Sequence, residues 1–257
     1  MTVDGDLAGV AASSRLLVAL DFDGTLAPTV DEPMTARMLP AARRAVDALA
    51  AAPATTVALI SGRALADLRV IAEHDDDSPI LLAGSHGAEV WPESEAGAPT
   101  ASERALRDEL LVEARRVVRD TPGAWIEPKT FGFGVHTRLC APDAARAAHE
   151  GVDALMAARA PGWRRRTGHD LVEYAFRDTG KDGALTRLRA QTGATAVVFA
   201  GDDVTDEDAM ATLGPEDLGI RVGPGASRAR VRVADPAELA DLLTRLVQAR
   251  EAAVTTE

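Results

Sequence analysis

Residues 15–25, RLLVALDFDGT, decide the fold. The apolar run from Arg15 to Leu20 is short and nearly continuous, the pattern of a strand buried on both faces, and such strands belong to parallel sheets covered by helices on each side. It ends on two aspartates, Asp21 and Asp23, with Gly24 behind them to permit a sharp turn. Working outward, the alanine-rich Leu39 to Ala52 reads as a helix, Thr56 to Ile60 as a second buried strand, and Ala64 to Ala72 as a helix again. Ile80 to Ala83, after Pro79, gives a third strand, and GSHGAEV a glycine-rich turn into another short strand. The same rhythm returns late in the chain, with a helix from Lys181 to Gln191, a strand from Ala196 to Ala200, the acidic stretch GDDVTDED, and short strands over Gly219 to Val222 and Arg230 to Val233. A helix from Pro236 to about Gln248 closes the series, leaving EAAVTTE as a frayed end. The fold class is therefore α/β, a doubly wound parallel sheet.

Between the two halves the pattern changes. WPESEAGAPTASE is a polar linker, with a boundary near residue 95, and Ser102 to Arg119 is a long amphipathic helix opened by a Ser-capped turn. Trp125 to Lys129 and Phe131 to Arg138 read as strands, Asp143 to Arg159 as a helix, and Arg164 to Thr167 with Leu171 to Ala175 as a further strand pair. The expectation is a discontinuous core over 1–95 and 178–257 and a smaller inserted α+β domain over 96–177, with hinges near 92–100 and 175–180.

Composition narrows the function classes. A formal net charge of −12 over 257 residues argues against the clustered positive surface that nucleic-acid binding needs. No apolar run reaches the roughly 18 residues of a membrane span. The N-terminus lacks a basic segment followed by an apolar stretch, so a cytoplasmic protein is expected, and the absence of an unusually apolar stretch suggests a monomer. The single cysteine, Cys140, reads as a small buried apolar residue. Of 28 basic residues, all but Lys129 and Lys181 are arginine. Arginine is a planar fork and lysine a compact point charge, so a site shaped around an ammonium would resist the exchange, although chance survival explains two lysines equally well.

In doubly wound sheets ligands bind beyond the C-terminal ends of the strands. Four groups stand there: Asp21 and Asp23; Ser61 in SGR; Lys181 at a helix start; and Asp202, Asp203 and Asp206. Any one aspartate alone reads as a turn or helix cap. Several converging carboxylates repel unless a cation lies between them, and an all-oxygen set suits Mg²⁺. Ser61 reads as an N-cap, or, with nearby backbone amides, as a holder of a phosphoryl oxygen, and the two roles are compatible.

This arrangement resembles the haloacid-dehalogenase (HAD) superfamily, whose phosphatases carry DxDGT, a Ser or Thr after the second strand, a Lys and an acidic motif in this order. The resemblance implies a HAD-like core in which Asp21 attacks phosphorus to form an aspartyl-phosphate, Asp23 serves as acid and base, and Ser61 and Lys181 complete the catalytic set. It further implies Mg²⁺ on Asp21, Asp23 and Asp202, with Asp203 and Asp206 better suited to support behind the ligands. LDFDGTL, LISGR, GSHGAE, IEPKTFGFGVHTR and GDDVTDEDAM together are similar to the trehalose-6-phosphate phosphatase family over about residues 15 to 210. On that resemblance the substrate is a small sugar phosphate. Gly62, Arg63 and His86 belong to its site, and Glu127, Lys129, His136, Arg138 and Glu173 project toward the sugar from an inserted cap lying over the crevice. Carboxylates and an ammonium suit a polyhydroxylated ligand.

Two positions depart from the family pattern. Ala175 stands where the E-x-R-P stretch puts Arg, and Asp182 where Gly follows the Lys. Arg177 is a candidate to reach the space of the missing arginine. The departures keep open a related sugar or pseudo-disaccharide phosphate as substrate, and a sugar-phosphate sensor without turnover is the remaining class. Intact Asp21, Asp23, Ser61, Lys181 and Asp202 argue against the sensor, which needs neither nucleophile nor acid.

Overall fold

The computed structural model describes residues 2–92, 98–168 and 170–254. The chain divides into two compact units, Met1–Ser94 with Thr179–Glu257, and Glu95–Asp178. The boundary expected near residue 95 falls among 93–97, outside the described residues. No helix among the described residues is long and apolar enough to cross a membrane.

In the first unit the elements run α1 (Val3–Ala11), β1 (Leu16–Leu20), α2 (Pro40–Ala51), β2 (Thr55–Ile60), α3 (Leu65–Ile71), β3 (Leu81–Gly84) and β4 (Glu89–Trp91). The second unit holds α4 (Ala101–Val118), β5 (Trp125–Lys129), β6 (Gly132–His136), α5 (Pro142–Arg159), β7 (Arg164–Gly168) and β8 (Leu171–Ala175). The first unit resumes with α6 (Lys181–Thr192), β9 (Ala196–Gly201), α7 (Val204–Met210), β10 (Leu218–Val222), β11 (Val231–Val233) and α8 (Pro236–Val254).

All five residues of β1 are buried, as the continuous apolar run requires. It lies in a seven-stranded sheet of order β11-β10-β9-β1-β2-β3-β4, parallel throughout except for β4. Leu16, Val18 and Leu20 pack with Leu7, Val46, Leu49, Leu68 and Leu243 of α1, α2, α3 and α8, whereas Leu17 and Ala19 pack with Leu185 and Leu188 of α6 and Met210 of α7. The sheet is thus wound on both faces. Leu20 pairs with Leu59 of β2 and with Ala200 of β9, so Asp21, Ser61 and Asp202 emerge from the same edge within one step of each other.

Two ends of this unit differ from the expectation. Residues 3–11, read only for the absence of a leader, form α1, opened by Thr2, whose side chain accepts from the Gly5 N–H. The last helix runs through Val254 and is not frayed beyond Gln248; only 255–257 lie outside the described residues. Arg250 is the physical reason. It is 3% exposed, and its guanidinium donates to the carbonyls of Ala11, Ser13, Pro53 and Ala54 and to Thr55 Oγ1, satisfying backbone acceptors where α1 and α2 end.

The second unit is an antiparallel sheet of order β5-β6-β8-β7. Ile126, Phe133, Val135, Val172 and Tyr174 cover one face and pack on Leu110, Ala114, Val118, Val152 and Met156 of α4 and α5. The alternate residues, Trp125, Glu127, Lys129, His136 and Glu173, line the opposite face. Thr100, not Ser102, caps α4: its side chain accepts from Glu103 N–H while the Glu103 carboxylate accepts from Thr100 N–H. Arg177 does not join the charged face. Its guanidinium donates to both carboxylate oxygens of Glu103 and lies over Phe131 and Phe176.

Candidate active site

The chain leaves β1 through Asp21, whose N–H still donates to Ala200 in the sheet, and then turns at Gly24 with φ +73°. A Cβ at Gly24 would stand 2.1 Å from Asp202 Oδ2, so only glycine lets the two loops approach. The Lys181 ammonium at the start of α6 is 4% exposed and donates to Asp21 Oδ1 and to Asp206 Oδ1, each at 2.7 Å. Thr25 Oγ1 donates to Asp202 Oδ1 at 3.0 Å and lies 3.4 Å from Asp21 Oδ2. Asp206 Oδ2 accepts from the N–H groups of Asp202 and Asp203, closing the loop that holds Asp202. Asp203 is the N-cap of α7.

Asp21, Asp202 and Asp206 each bring an oxygen within 4.8 Å of the others. Fully ionised, they leave two negative charges uncompensated by Lys181, which fits a divalent cation with oxygen ligands. Without one, burial raises the Asp21 carboxyl well above its ordinary value, against the pull of Lys181, and the charges of Asp206 and Asp202 add to the rise. Burial and then Asp206 raise Asp202 as well. Asp206, expected to stand behind the ligands, lies close to both Asp21 and Asp202, while its two oxygens accept from Lys181 and from the Asp202 and Asp203 N–H groups. The carboxylate of Asp23 stands outside this group: Arg63 Nε and Nη2 donate to its two oxygens at 2.6 and 2.7 Å, a bidentate pair.

Ser61 does not cap a helix. The following helix begins at Leu65 with Ala64 as N-cap, and it is Glu89 that accepts from the Leu65 N–H. Ser61 Oγ accepts from Arg63 N–H at 3.1 Å and the side chain is buried beside the loop. His86, at φ +54°, donates its N–H to the Ser61 carbonyl, and its ring packs where a Cβ on Gly62 would lie 2.8 Å away. Gly62, Arg63 and His86 therefore gather around Ser61. Asp182 falls in the first turn of α6, where the helix dipole favours an acid, so the departure from Gly is accommodated.

In the second unit, His136 Nε2 and Glu127 Oε2 are 2.6 Å apart, and Lys129 Nζ is ion-paired with Glu173 and 4.0 Å from Glu127. Burial alone would raise the Glu127 carboxyl, but the His136 hydrogen bond and the Lys129 charge outweigh it and hold the group below its ordinary value. Arg138 lies past this face, exposed in the turn after β6. Register puts Arg166 across from Glu173 and Arg164 across from Ala175 on the same face, so cations stand next to the position where the family pattern places arginine. Thr25, Arg166 and Trp125, whose ring stacks on His136 at 4.5 Å, escaped the reading of the sequence. The alternation along β5 was the signal that Trp125 shares a face with Glu127 and Lys129.

A family model described as trehalose-phosphatase matches residues 19–239. An uncharacterized glycosyl hydrolase of Mycobacterium tuberculosis is 34% identical over 96% of this chain, which spans 19% of that protein. A trehalose-phosphate phosphatase of Mycobacterium marinum is 34% identical over 90% of this chain, which spans 61% of it. The C-terminal domain of Candida albicans trehalose-6-phosphate phosphatase shares the fold, with a TM-score of 0.78 at 20% identity over 96% of this chain and 97% of that one. The chain belongs to the trehalose-phosphatase family.

Proposed function

We propose that this protein is a cytoplasmic, magnesium-dependent phosphatase that hydrolyses trehalose 6-phosphate to trehalose and phosphate through an aspartyl-phosphate on Asp21. The observation that carries the chemistry is the buried Asp21 carboxylate, with one oxygen held by Lys181 at 2.7 Å and Asp202 and Asp206 beside it. Lys181 fixes the carboxylate so that Oδ2 is aimed as the attacking atom. As the Asp21 oxygen bonds to phosphorus, the ester P–O bond breaks and Asp23 passes a proton to the leaving sugar oxygen. Asp23 then takes a proton from the water that attacks the acylphosphate, phosphate departs and Asp21 is regenerated. Arg63 donates to both Asp23 oxygens, and one of them leaves this pair for Asp23 to carry the proton in each transfer. Ser61 and the neighbouring backbone N–H groups hold a phosphoryl oxygen. Mg²⁺, held by Asp21 and Asp202 with Asp206 behind them, would neutralise charge on the phosphoryl group.

Sugar recognition is assigned to the second unit, where Glu127, Lys129, His136 and Glu173 offer acceptors and donors for several hydroxyls on one sheet face. Ala175 favours a second reading, in which the same chemistry acts on a related pseudo-disaccharide phosphate. The test is phosphate release from trehalose 6-phosphate, glucose 6-phosphate and other sugar phosphates, with Mg²⁺, with EDTA, and with Asp21→Asn. Selective release that EDTA removes and the substitution lowers by at least about 10⁴-fold is expected. Release from other esters alone would retain the phosphatase and discard trehalose 6-phosphate, and no release from any ester would leave a binding protein.

A further inference from the structure

An indole carries a large apolar surface and a rigid, flat contact face. Trp125, the first residue of edge strand β5, is 41% exposed, while Ile126 beside it is 7% exposed and belongs to the core under the sheet. Trp125 thus stands on the charged face, in register across from His136, with the two rings 4.5 Å apart and 3° from parallel. His136 is itself held by Glu127 at 2.6 Å, so the plane of the indole is fixed through a chain of two contacts that ends on a sugar-binding candidate. The neighbouring floor is glycine: a Cβ on Gly134 would lie 3.0 Å from Leu171 Cδ1 and 3.6 Å from both Glu127 Oε2 and His136 Nε2. The face therefore combines a flat aromatic surface with an array of donors and acceptors, and Gly134 leaves room for the Leu171, Glu127 and His136 side chains to close in beside it.

We propose that Trp125 is a stacking platform for a pyranose ring of the substrate, and so a specificity-determining residue that favours sugar esters over small acyclic ones. The proposal rests on the reading of this chain as a sugar phosphatase. A pyranose presents C–H groups on its faces and hydroxyls around its rim. The C–H groups meet the negative face of an indole, and the hydroxyls remain free for the carboxylates and the ammonium on the same strand.

The test compares trehalose 6-phosphate with glycerol 2-phosphate, which has no ring, for the full chain and for Trp125→Ala and Trp125→Phe. Trp125→Ala is expected to raise KM for the sugar ester about ten-fold with kcat little changed, and to shift glycerol 2-phosphate hydrolysis by less than about two-fold; Trp125→Phe, which keeps a ring, should recover most of the loss. A wild-type KM for the sugar ester in Trp125→Ala, or an equal loss on both substrates, overturns the platform. A wild-type protein without preference for the sugar ester instead overturns the underlying reading, so the two failures are distinct.

Discussion

Both units place a single lysine among carboxylates, yet they bury the two arrangements to different depths. Lys181, Asp21 and Asp206 are 4%, 4% and 0% exposed, whereas the side chains of Glu127, His136 and Lys129 keep 41%, 22% and 17% of their exposure. The consequences are electrostatic. In the first cluster burial works against every charge: it alone would lower Lys181, and only Asp206 and Asp21 hold the ammonium well above its ordinary value, while Asp21 and Asp202 are pushed up toward protonation. In the second, the Glu127 carboxyl is held below its ordinary value by partners that water also reaches. A dry cluster stores electrostatic energy that a divalent cation or a phosphoryl group can relieve, which is the requirement of catalysis. A half-wet cluster can exchange water for sugar hydroxyls at small cost, which is the requirement of recognition.

Removing each lysine sharpens the contrast. Lys181→Met leaves Asp21 and Asp206 without their buried cation, and should lower kcat by about 10³-fold or more and destabilise the fold by about 3 kcal/mol. Lys181→Arg should rescue neither, because a guanidinium does not fit a space shaped around an ammonium. Lys129→Met, by contrast, should raise KM for the sugar ester about ten-fold and change stability by less than about 1 kcal/mol. Steady-state kinetics with thermal melts check all three. A Lys129 variant that loses kcat on glycerol 2-phosphate as severely as on the sugar ester would dissolve the division of labour between the units.

The same contrast explains what was legible in the sequence. Asp21, Ser61 and Asp202 could be placed because each follows directly on a strand whose apolar pattern is local, and a parallel sheet brings such ends to one edge; Lys181 could be placed because it opens a helix of the same series. What depends on distant partners could not. The Arg63–Asp23 pair joins residues 40 apart, and Arg177 finds Glu103 across 74 residues. Arg250 reaches back 239 residues to Ala11, so neither the length of α8 nor the existence of α1 was written in their own stretches. The return of the Asp206 carboxylate beside Asp202, made by the turn into α7, is likewise not revealed by spacing alone. Trp125 and Thr100 were within reach, the first through strand alternation and the second through its capping-box partner Glu103.

The smallest effect expected from the comparison is a linkage between metal, pH and stability confined to the first unit. Asp21 and Asp202 have folded-state values raised above those of the unfolded chain, so the metal-free protein binds more protons than its unfolded form across that interval. Its stability therefore falls as pH rises through the interval, and is larger on the acid side. A divalent cation binds the ionised carboxylates and competes with those protons, so its stabilisation runs in the opposite direction and grows with pH. Thermal melts with EDTA or with Mg²⁺ should show a gain of about 3 °C or more at neutral pH that shrinks in mildly acidic buffer. Glu127 contributes with the opposite sign and without metal: its lowered value stabilises the protein above the unfolded carboxyl range and loses that effect as pH falls. Asp21→Asn should abolish most of the metal-dependent gain, whereas Glu127→Gln should leave it unchanged. A gain that survives Asp21→Asn would place the cation elsewhere, and one independent of pH would show that the carboxylates of the buried cluster are already ionised before metal arrives.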